Sequence, residues 1–424
     1  MKRFFSLIFL LVSAPLWAQA PGVLSLQEAY QLALKQSETV AISDETIRIA
    51  EAHYLQALGT VLPHLNAKAS ELIQDTTETF DTSGSSVGGT LTRRSRPEVS
   101  IGLSQPLFQG LREFKALGMS GAEKRKNIYQ TERTHQLLFA DVTKAYYTVL
   151  ELESDREILK SQKKTLASRT SELRERIRLG KSRESEDLSL QSQTATLEAE
   201  IEKTEGLVET ARDYLAFLVG REVTEALEDQ FTVPASVKPV ESWLAALQNR
   251  PDLNANTESV HLSKGKVDWE KGGRLPRVDL NANYYPYRVG FLQDIKWDVL
   301  FTFNLPIFQG GATRGSIREA EANLRQSEFR KKQASRQAEL DVRQAYHRFI
   351  HSQLQSTALS QAAAKAGSNY EAQKQEYRLG LVNNLEVLQI LNDWLDRQRS
   401  ANQARYQTKL RYLQLRLATG DLPQ

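Results

Sequence analysis

The stretch QPLFQG at residues 105–110 recurs as LPIFQG at residues 305–310. Three further pairs keep the same spacing of 200 residues: Ala145-Tyr146 with Ala345-Tyr346, RLG at 178–180 with RLG at 378–380, and FLVG at 217–220 with LATG at 417–420. Several matches at one fixed spacing indicate an internal repeat. The chain is therefore predicted to be a tandem duplication of a unit of about 200 residues.

The duplication divides the chain into segments. Residues 19–220 are expected to form the first repeat, 221–242 a linker and 243–424 the second repeat. Each repeat is predicted to contain a helix, two strands, a long helix and a return helix. In the first repeat, the stretch 76–96 is rich in Gly, Ser and Thr, which predicts a loop joining the two strands.

Two long windows, 107–233 and 307–422, contain no proline and are rich in Ala, Leu, Gln, Glu, Lys and Arg. Proline breaks helix interiors, so windows without it can hold very long helices. Apolar residues recur there in alternating steps of four and three, as at Leu138, Val142, Ala145, Val149 and Leu152. This is the heptad pattern of coiled-coil packing.

The heptad pattern predicts one helix over 111–178 and another over 311–378. Each would hold about 68 residues and measure about 100 Å, at ~1.5 Å per residue. Gly180 and Gly380 are predicted to end these helices as turn residues. A return helix is then expected after each turn.

Ahead of each long helix the hydrophobic period becomes two, which is typical of β-strands. The alternating apolar residues are Leu65, Ala67 and Ala69; Val99, Ile101 and Leu103; Val278, Leu280, Ala282 and Tyr284; and Trp297, Val299, Phe301, Phe303 and Leu305. Four strands of about 9–11 residues are predicted, the length that a tilted strand needs to cross a bilayer. The residues between them are largely polar, as at Asp279, Asn281, Asn283, Asp298 and Asn304.

Four transmembrane strands require an oligomer, because a sheet in a membrane cannot keep free edges. Two chains would give eight strands, with an interior filled by side chains, whereas three would give twelve, with room for a pore. An ordinary four-stranded sheet in a soluble protein is the alternative. The polar residues of the predicted inner face, on an exported chain, favour the membrane interpretation.

The N-terminus has the features of a secretory signal peptide. Lys2 and Arg3 precede an apolar stretch at 4–12, and small residues follow at Ala18 and Ala20. We expect residues 1–18 to be cleaved, so that the mature chain is exported. A mean hydropathy of −0.46 and the lack of an apolar run of about 18 residues exclude a helical membrane span in the mature chain. They are compatible with a β-barrel, whose polar inner face lowers hydropathy.

The composition excludes several functional classes. With no cysteine, the chain has no disulfide, cysteine-ligated zinc or thiol nucleophile. Its 55 Lys and Arg residues against 52 Asp and Glu residues give no reason to expect nucleic acid as a partner. GSSVG at 84–88 fits a nucleophile motif but lies in a predicted loop, and His347 and His351 have metal-ligand spacing without a third ligand. We therefore expect no catalytic site, no metal site and no cofactor.

The chain resembles the TolC-like outer-membrane efflux proteins, or outer membrane factors, over nearly all of residues 24–420. The resemblance is carried by NRPDL at 249–253, Leu-Pro at 62–63 and 275–276, the Pro-x-Phe-x-Gly motifs at 106–110 and 306–310, and the two RLG tips. It implies a mainly α protein with a small β part that assembles as a homotrimer. Twelve strands would form an outer-membrane barrel with 76–96 as an extracellular loop. The helices would form a periplasmic α-barrel, with 221–242 as an equatorial linker.

The same resemblance implies a function and partners. The trimer would passively conduct small molecules across the Gram-negative outer membrane as the exit duct of a tripartite efflux system, with no enzymatic step. Its partners would be outer-membrane lipid, a periplasmic adaptor (membrane fusion) protein and an inner-membrane pump of the resistance-nodulation-division (RND) or ABC class. Two alternatives stay open: the outer-membrane component of a type I protein secretion system, and a structural periplasmic coiled-coil protein.

The resemblance places the functional residues at the two helical tips. The residues implied in adaptor contact are Arg178, Leu179 and Gly180 at the first tip, and Arg378, Leu379 and Gly380 at the second.

The resemblance also implies a gate beside the second tip. Glu386 and Gln389 would face the closed constriction, so only one of the two positions that are acidic in the family keeps a carboxylate here. Tyr377 would form a hydrogen bond with Glu186. Val382 stands where the family has a basic residue, which puts the family's inter-subunit ion pair in question.

Overall fold

The computed structural model describes residues 22–75, 95–234, 236–290 and 292–421. The predicted signal peptide, 1–18, lies outside the described residues, as does most of the predicted loop at 76–96. Within the described ranges the protein is mostly helical, with a four-stranded sheet and a two-stranded sheet.

The two halves of the chain repeat one order of elements: two strands, a long helix and a return helix. In chain order the helices are α1 Leu26–Gln36, α2 Glu38–Gly59, α3 Arg112–Arg178, α4 Glu184–Val219, α5 Val240–Ala245, α6 Pro251–Gly272, α7 Ala312–Arg378 and α8 Asn384–Ala418. The strands are β1 Val23–Leu24, β2 His64–Ile73, β3 Ser95–Phe108, β4 Ala226–Leu227, β5 Arg277–Arg288 and β6 Trp297–Asn304. A 3-10 helix, Ala246–Asn249, joins α5 to α6.

Several local features differ from the sequence prediction, which did not include β1, β4 or α5. The single helix expected before β2 is divided into α1 and α2 at Ser37, which has extended backbone angles and whose side chain accepts a hydrogen bond from the N–H of Val40. Such a residue starts a new helix because it satisfies an otherwise free N–H group. The strand β3 starts at Ser95, so the last two residues of 76–96 belong to a strand rather than to the loop.

The long helices α3 and α7 contain 67 residues each and agree with the predicted bounds to within one residue. Each follows a turn in which glycine has positive φ, 71° at Gly110 and 58° at Gly310. At Gly110 a side chain would also collide with the carbonyl of Gly272 at the end of α6. The glycine of QPLFQG is therefore needed both for the turn and for this close approach.

The four-stranded sheet is antiparallel, in the order β2-β3-β5-β6. Its cross-strand partners match apolar with apolar: Ala67 with Ile101, Leu103 with Ala282, and Ala282 in turn with Val299. Side chains alternate between the faces of a sheet, so these residues share one apolar face across all four strands. The pattern that predicted the strands therefore also describes their register.

The opposite face of this sheet is polar. The carboxylate of Asp298 accepts hydrogen bonds from Asn283 Nδ2 at 2.9 Å and from the Tyr285 hydroxyl at 2.8 Å. Nearby, Arg288 forms an ion pair with Glu98 at 2.9 Å. The two faces of the sheet therefore differ in polarity, as side-chain alternation predicts.

The two-stranded sheet lies where the middle of α3 meets both ends of the first repeat. There β1 and β4 pair in parallel. The buried hydroxyl of Tyr146 lies 2.6 Å from the carbonyl oxygen of Leu24, to which it donates, and 2.9 Å from the N–H of Glu228, from which it accepts. This side chain thus connects α3 to both short strands.

The helical part has separate apolar cores along its length. The core near the tips is shared by α3, α4, α7 and α8, with Leu159, Leu166, Leu173, Leu190, Leu197, Tyr370, Tyr377, Val387, Leu388, Leu391 and Leu395 buried in it. The heptad pattern predicted this kind of packing. No helix in the described part of the chain has an apolar run long enough to cross a membrane.

Candidate gate at the helical tips

The two helical hairpins end in matching turns. The chain passes from α3 to α4 through Gly180 and from α7 to α8 through Gly380, with φ angles of 72° and 76°. A side chain at either glycine would meet no atom within 4 Å. Glycine is therefore needed for the left-handed backbone conformation and not for space.

The outermost tip residues are open to solvent. Leu379 is 75% exposed and Leu179 is 56% exposed. Arg178 and Arg378 are exposed beside them, and Arg378 Nε lies 3.6 Å from a carboxylate oxygen of Glu172 on α3. The tips thus present apolar side chains next to positive charges, a combination that another protein can cover.

Tyr377, in the last turn of α7, is held against α3. Its side chain is only 5% exposed. The guanidinium carbons of Arg169 and Arg176 lie 4.7 and 4.3 Å from the centre of its ring, within the range of cation–π interaction. Arg176 also donates to the backbone carbonyls of Tyr377 and Arg378, at 3.3 Å each.

Arg169 is a buried arginine, 4% exposed. Its Nη2 donates to Asn384 Oδ1 at 2.8 Å, and its Nη1 lies 3.8 Å from Glu172. Its Nε and Nη1 have no hydrogen-bond partner among the described residues, and the same is true of Asn384 Nδ2. Arg169 therefore links α3 to the start of α8 while some of its own N–H groups stay unsatisfied.

Sequence reasoning missed Arg169, Arg176 and Asn384, although the chain carries a signal for the arginines. Polar residues recur at heptad spacing beside the leucines Leu159, Leu166 and Leu173 of the tip core; they are Gln162, Arg169 and Arg176. A charged residue beside an apolar seam at this period indicates a specific partner in the core. The partners of these arginines could not be predicted from the sequence, because Tyr377 and Asn384 lie about 200 residues further along the chain.

The hydrogen bond expected between Tyr377 and Glu186 is not formed. The Tyr377 hydroxyl instead lies 3.5 Å from the hydroxyl oxygen of Ser182. Glu186 lies in the first turn of α4, where its Oε2 is buried without a hydrogen-bond partner within the described ranges. Ser182 is closer because it lies in the tip turn itself, whereas Glu186 has already entered α4.

Glu386 and Gln389 are both exposed, in the first two turns of α8. The Glu386 carboxylate accepts a hydrogen bond from Asn383 Nδ2 at 2.7 Å. The backbone N–H of Glu386 donates to Asn383 Oδ1 at 3.0 Å. A carboxylate in this position is stabilised by the positive end of the helix dipole. Val382, where a basic residue was expected by resemblance, packs against the apolar tip core.

The two weak enzymatic signals of the sequence receive no structural support. His347 and His351 are exposed, and no cluster of ligands able to hold a metal is found among the described residues. The segment 84–88 lies outside them.

Comparison with known proteins identifies the class. The sequence model of the outer membrane efflux protein family matches residues 26–221 and 244–421, and the chain belongs to this family. It is 24% identical over 339 residues to outer membrane protein TolC of Vibrio cholerae, covering 76% of each chain. It is 22% identical over 339 residues to the alkaline protease secretion protein AprF of Pseudomonas aeruginosa, covering 77% of this chain and 70% of that one.

A solved structure shows the same fold. The outer membrane protein VceC of Vibrio cholerae superimposes with a TM-score of 0.80, at 18% identity, over 93% of this chain and 96% of VceC. The protein is thus a TolC-like channel protein of the Gram-negative outer membrane that extends into the periplasm, and it is not an enzyme. Family membership decides for the channel and against a purely structural coiled-coil protein.

Proposed function

We propose that three copies of this chain form one channel, with a twelve-stranded barrel in the outer membrane and a helical conduit below it. The free edges of the four-stranded sheet support this proposal, since β2 and β6 each have a strand neighbour on one side only among the described residues. A sheet with a lipid-facing apolar surface cannot leave such backbone groups unpaired. Pairing β6 with β2 of the next chain would satisfy both edges and close a ring.

The polar face of the sheet favours three chains over two. Eight strands enclose an interior that side chains fill, whereas twelve leave a water-filled pore. Asn281 and Thr302 share this face with Asp298 and Asn283, opposite the apolar residues. These polar side chains suit contact with water inside a wide barrel.

The helices support the same head-to-tail arrangement. On α7, Phe329, Leu340 and Leu354 are exposed apolar residues, and on α2 so are Ile42 and Ile49. Single exposed apolar residues are common, but here they recur along two helices with different neighbours, since α2 packs on α3 whereas α7 packs on α6 and α8. Such residues suit burial against another chain. We infer that α7 of one chain packs against α2 of its neighbour below the barrel.

The channel would act as the exit duct of a tripartite efflux system that carries small molecules. An inner-membrane pump would supply the energy, and a periplasmic adaptor would bind the exposed Leu179 and Leu379 together with Arg178 and Arg378. The long helices reach about 100 Å from the sheet, which brings the tips far into the periplasm. Three copies of Glu386 near the axis, with Gln389 beside them, would form the charged constriction.

Cross-linking between introduced cysteines tests the assembly, because the chain has no cysteine of its own that could react. A variant with Ala67→Cys in β2 and Val299→Cys in β6 is cross-linked in detergent with a bifunctional thiol reagent. Twelve strands from three chains predict a ladder that ends at trimer. Each single-cysteine variant serves as control and should stay monomeric, because β2 of one chain lies beside β6, and not beside β2, of the next chain. A ladder ending at dimer in the double variant, or no conductance of the purified protein in planar bilayers, would refute the proposal.

Protein secretion is the second candidate, supported by the relative whose name assigns it to alkaline protease secretion. The two candidates differ in what restores function to a host. The gene is placed in a Pseudomonas aeruginosa strain lacking AprF, and extracellular protease is measured. Restored protease export supports secretion, whereas restored resistance to toxic compounds in a TolC-deficient Vibrio cholerae strain, without protease export in the first host, supports efflux.

A further inference from the structure

The two arginines beside Tyr377 form one structural unit. Arg169 and Arg176 are seven residues apart, so they lie on the same face of α3, two turns from each other. Both guanidinium groups nevertheless lie within 5 Å of the same ring centre. Two like charges converge on one buried aromatic ring, and the cation–π attraction of each, together with the nearby carboxylate of Glu172, offsets their mutual repulsion.

Each arginine also binds one side of the second tip turn. Arg176 donates to the carbonyls of Tyr377 and Arg378 in the last turn of α7, where the negative end of the helix dipole attracts a cation. Arg169 donates to Asn384 at the first position of α8. Together they hold the end of α7 and the start of α8 against the first hairpin.

The internal repeat does not duplicate this unit. At the corresponding positions, 200 residues apart, α7 has Asn369 and Glu376 in place of the arginines, and α3 has Ile177 in place of the tyrosine. The cation–π contacts and the arginine hydrogen bonds of this unit therefore run in one direction, from the first hairpin to the second. The hairpin that is held, α7–α8, is also the one that carries Glu386.

The packing of the two hairpins against each other leaves donors unsatisfied. Arg169 Nε and Nη1 and Asn384 Nδ2 have no hydrogen-bond partner among the described residues, and they are already inaccessible within the single chain. A neighbouring chain cannot reach them in this conformation, but separating the hairpins would expose them to water. Because a buried unpaired donor is unfavourable, these groups oppose the packing of the two hairpins and lower the cost of separating them.

We propose that Arg169 and Arg176 act as a clamp that keeps the tip closed by gripping the ring of Tyr377, not its hydroxyl group. The proposal rests on the proposed channel function and assigns its gate contact to residues of the first repeat. The 3.5 Å separation between the Tyr377 hydroxyl and Ser182 is too long to be the main contact. The ring contacts are shorter than the usual limit of about 6 Å for this interaction.

Four substitutions in the full-length protein test the clamp. Those at Tyr377 distinguish the role of its ring from that of its hydroxyl group, and those at the two arginines distinguish the role of their charge from that of their size. Tyr377→Phe keeps the ring and should leave the gate closed, whereas Tyr377→Leu should open it. Arg176→Met should raise the open-to-closed ratio by about fivefold to thirtyfold, as expected for one partly buried cation–π contact. Arg169→Lys, which keeps the charge, should stay close to the unsubstituted protein. Arg174→Met is the matched control, since among the described residues Arg174 forms an ion pair only with Asp187, inside the first hairpin.

Two readouts keep failure of the clamp distinct from failure of the channel. Single-channel recording in planar bilayers gives the open probability, and hydrogen exchange with mass spectrometry gives the opening of residues 377–391 even in a protein that does not conduct. The clamp predicts faster exchange there in Arg176→Met and Tyr377→Leu, with the same melting temperature and little change at residues 177–191. Opening by Tyr377→Phe as large as by Tyr377→Leu, or unchanged exchange in Arg176→Met, would overturn the clamp.

Discussion

The guanidinium of Arg250 lies 3.2 Å from a carboxylate oxygen of Asp341, which joins the start of α6 to α7. The same side chain, 5% exposed, also binds Asp252 at 2.8 Å and the carbonyl of Ala418 at 3.1 Å. One arginine thus ties α6, α7 and the end of α8 together. This accounts for the NRPDL stretch as an anchor at the middle of the helical part.

Replacing Arg250 by methionine is expected to lower the free energy of unfolding by about 2–3 kcal/mol. Removing one partner of a buried ion pair leaves the other charge uncompensated, which typically costs about 3–5 kcal/mol. The loss is expected to be smaller here because Asp252 and Asp341 are partly exposed. Urea unfolding followed by circular dichroism measures the loss. Arg397→Met is the control, because its pair with Asp393 is exposed and screened by water and should contribute little to stability. Equal effects of the two substitutions would contradict the anchor role.

Glu151, on α3, predicts a pH-dependent stability. Burial, with a smaller contribution from the charge of Asp155, raises its pKa from 4.5 to about 7. Between these two values the folded protein binds a proton that the unfolded chain does not. Stability from this group is therefore fully present below about pH 4.5 and is lost as the pH rises through 7.

The substitution Glu151→Gln removes this dependence. We expect the variant to be more stable than the unsubstituted protein by about 1–2 kcal/mol at pH 8, after allowance for partial exposure, and equally stable near pH 4.5. Unfolding curves at several pH values give the difference. A gap that does not change with pH would rule out Glu151 as its source.

The hydroxyl of Tyr146 is expected to stabilise the two-stranded sheet. Burial raises the pKa of Tyr146 to about 12, so the group stays protonated and can donate to Leu24. Tyr146→Phe leaves the Leu24 carbonyl and the Glu228 N–H without this partner and should cost about 1–3 kcal/mol. The loss of stability is measured by urea unfolding, and the loss of the hydrogen bond by faster hydrogen exchange at the N–H of Glu228. The exposed Tyr214, changed to phenylalanine, should alter neither quantity.

The repetitive features of this fold could be predicted from the sequence. Heptads sustained over many turns specify a long helix almost alone, and the glycines at 180 and 380 mark its ends because few other residues adopt positive φ. Alternation predicted the four strands of the larger sheet and constrains their register, since a shift of one residue would turn every apolar side chain to the other face. It did not reveal the two-residue strands β1 and β4 or the two register irregularities between β3 and β5.

The contacts across the tip could not be predicted in the same way. The partners of Tyr377 depend on how the two hairpins approach each other, which no local pattern records. Resemblance alone suggested Glu186 as the hydrogen-bond partner of Tyr377. In the structure the tip turn brings Ser182 nearer to the hydroxyl group, and Arg169 and Arg176 of α3 contact the ring. Similarly, Ser37 divides the first helix through a cap that competes with an otherwise continuous helical pattern.

The proposed constriction has one carboxylate per chain, so its charge can be either removed or increased by a single substitution. Glu386 keeps an acidic group at the start of α8, whereas Gln389, one turn further on, has none. If three copies of Glu386 surround the axis, their mutual repulsion is relieved by a divalent cation, which then blocks the pore. Removing the carboxylate should weaken this block, and adding one at position 389 should strengthen it.

We expect Glu386→Gln to raise the concentration of divalent cation needed for half-maximal block by at least about tenfold, and Gln389→Glu to lower it. Single-channel current in a planar bilayer, titrated with Mg²⁺ and Ca²⁺, gives both values. Glu45→Gln, an exposed change on α2, is the control for loss of surface charge far from the tip. Because opposite changes in charge must move the block in opposite directions, an equal shift in both variants would mean that these residues act through tip stability and not through a charged ring.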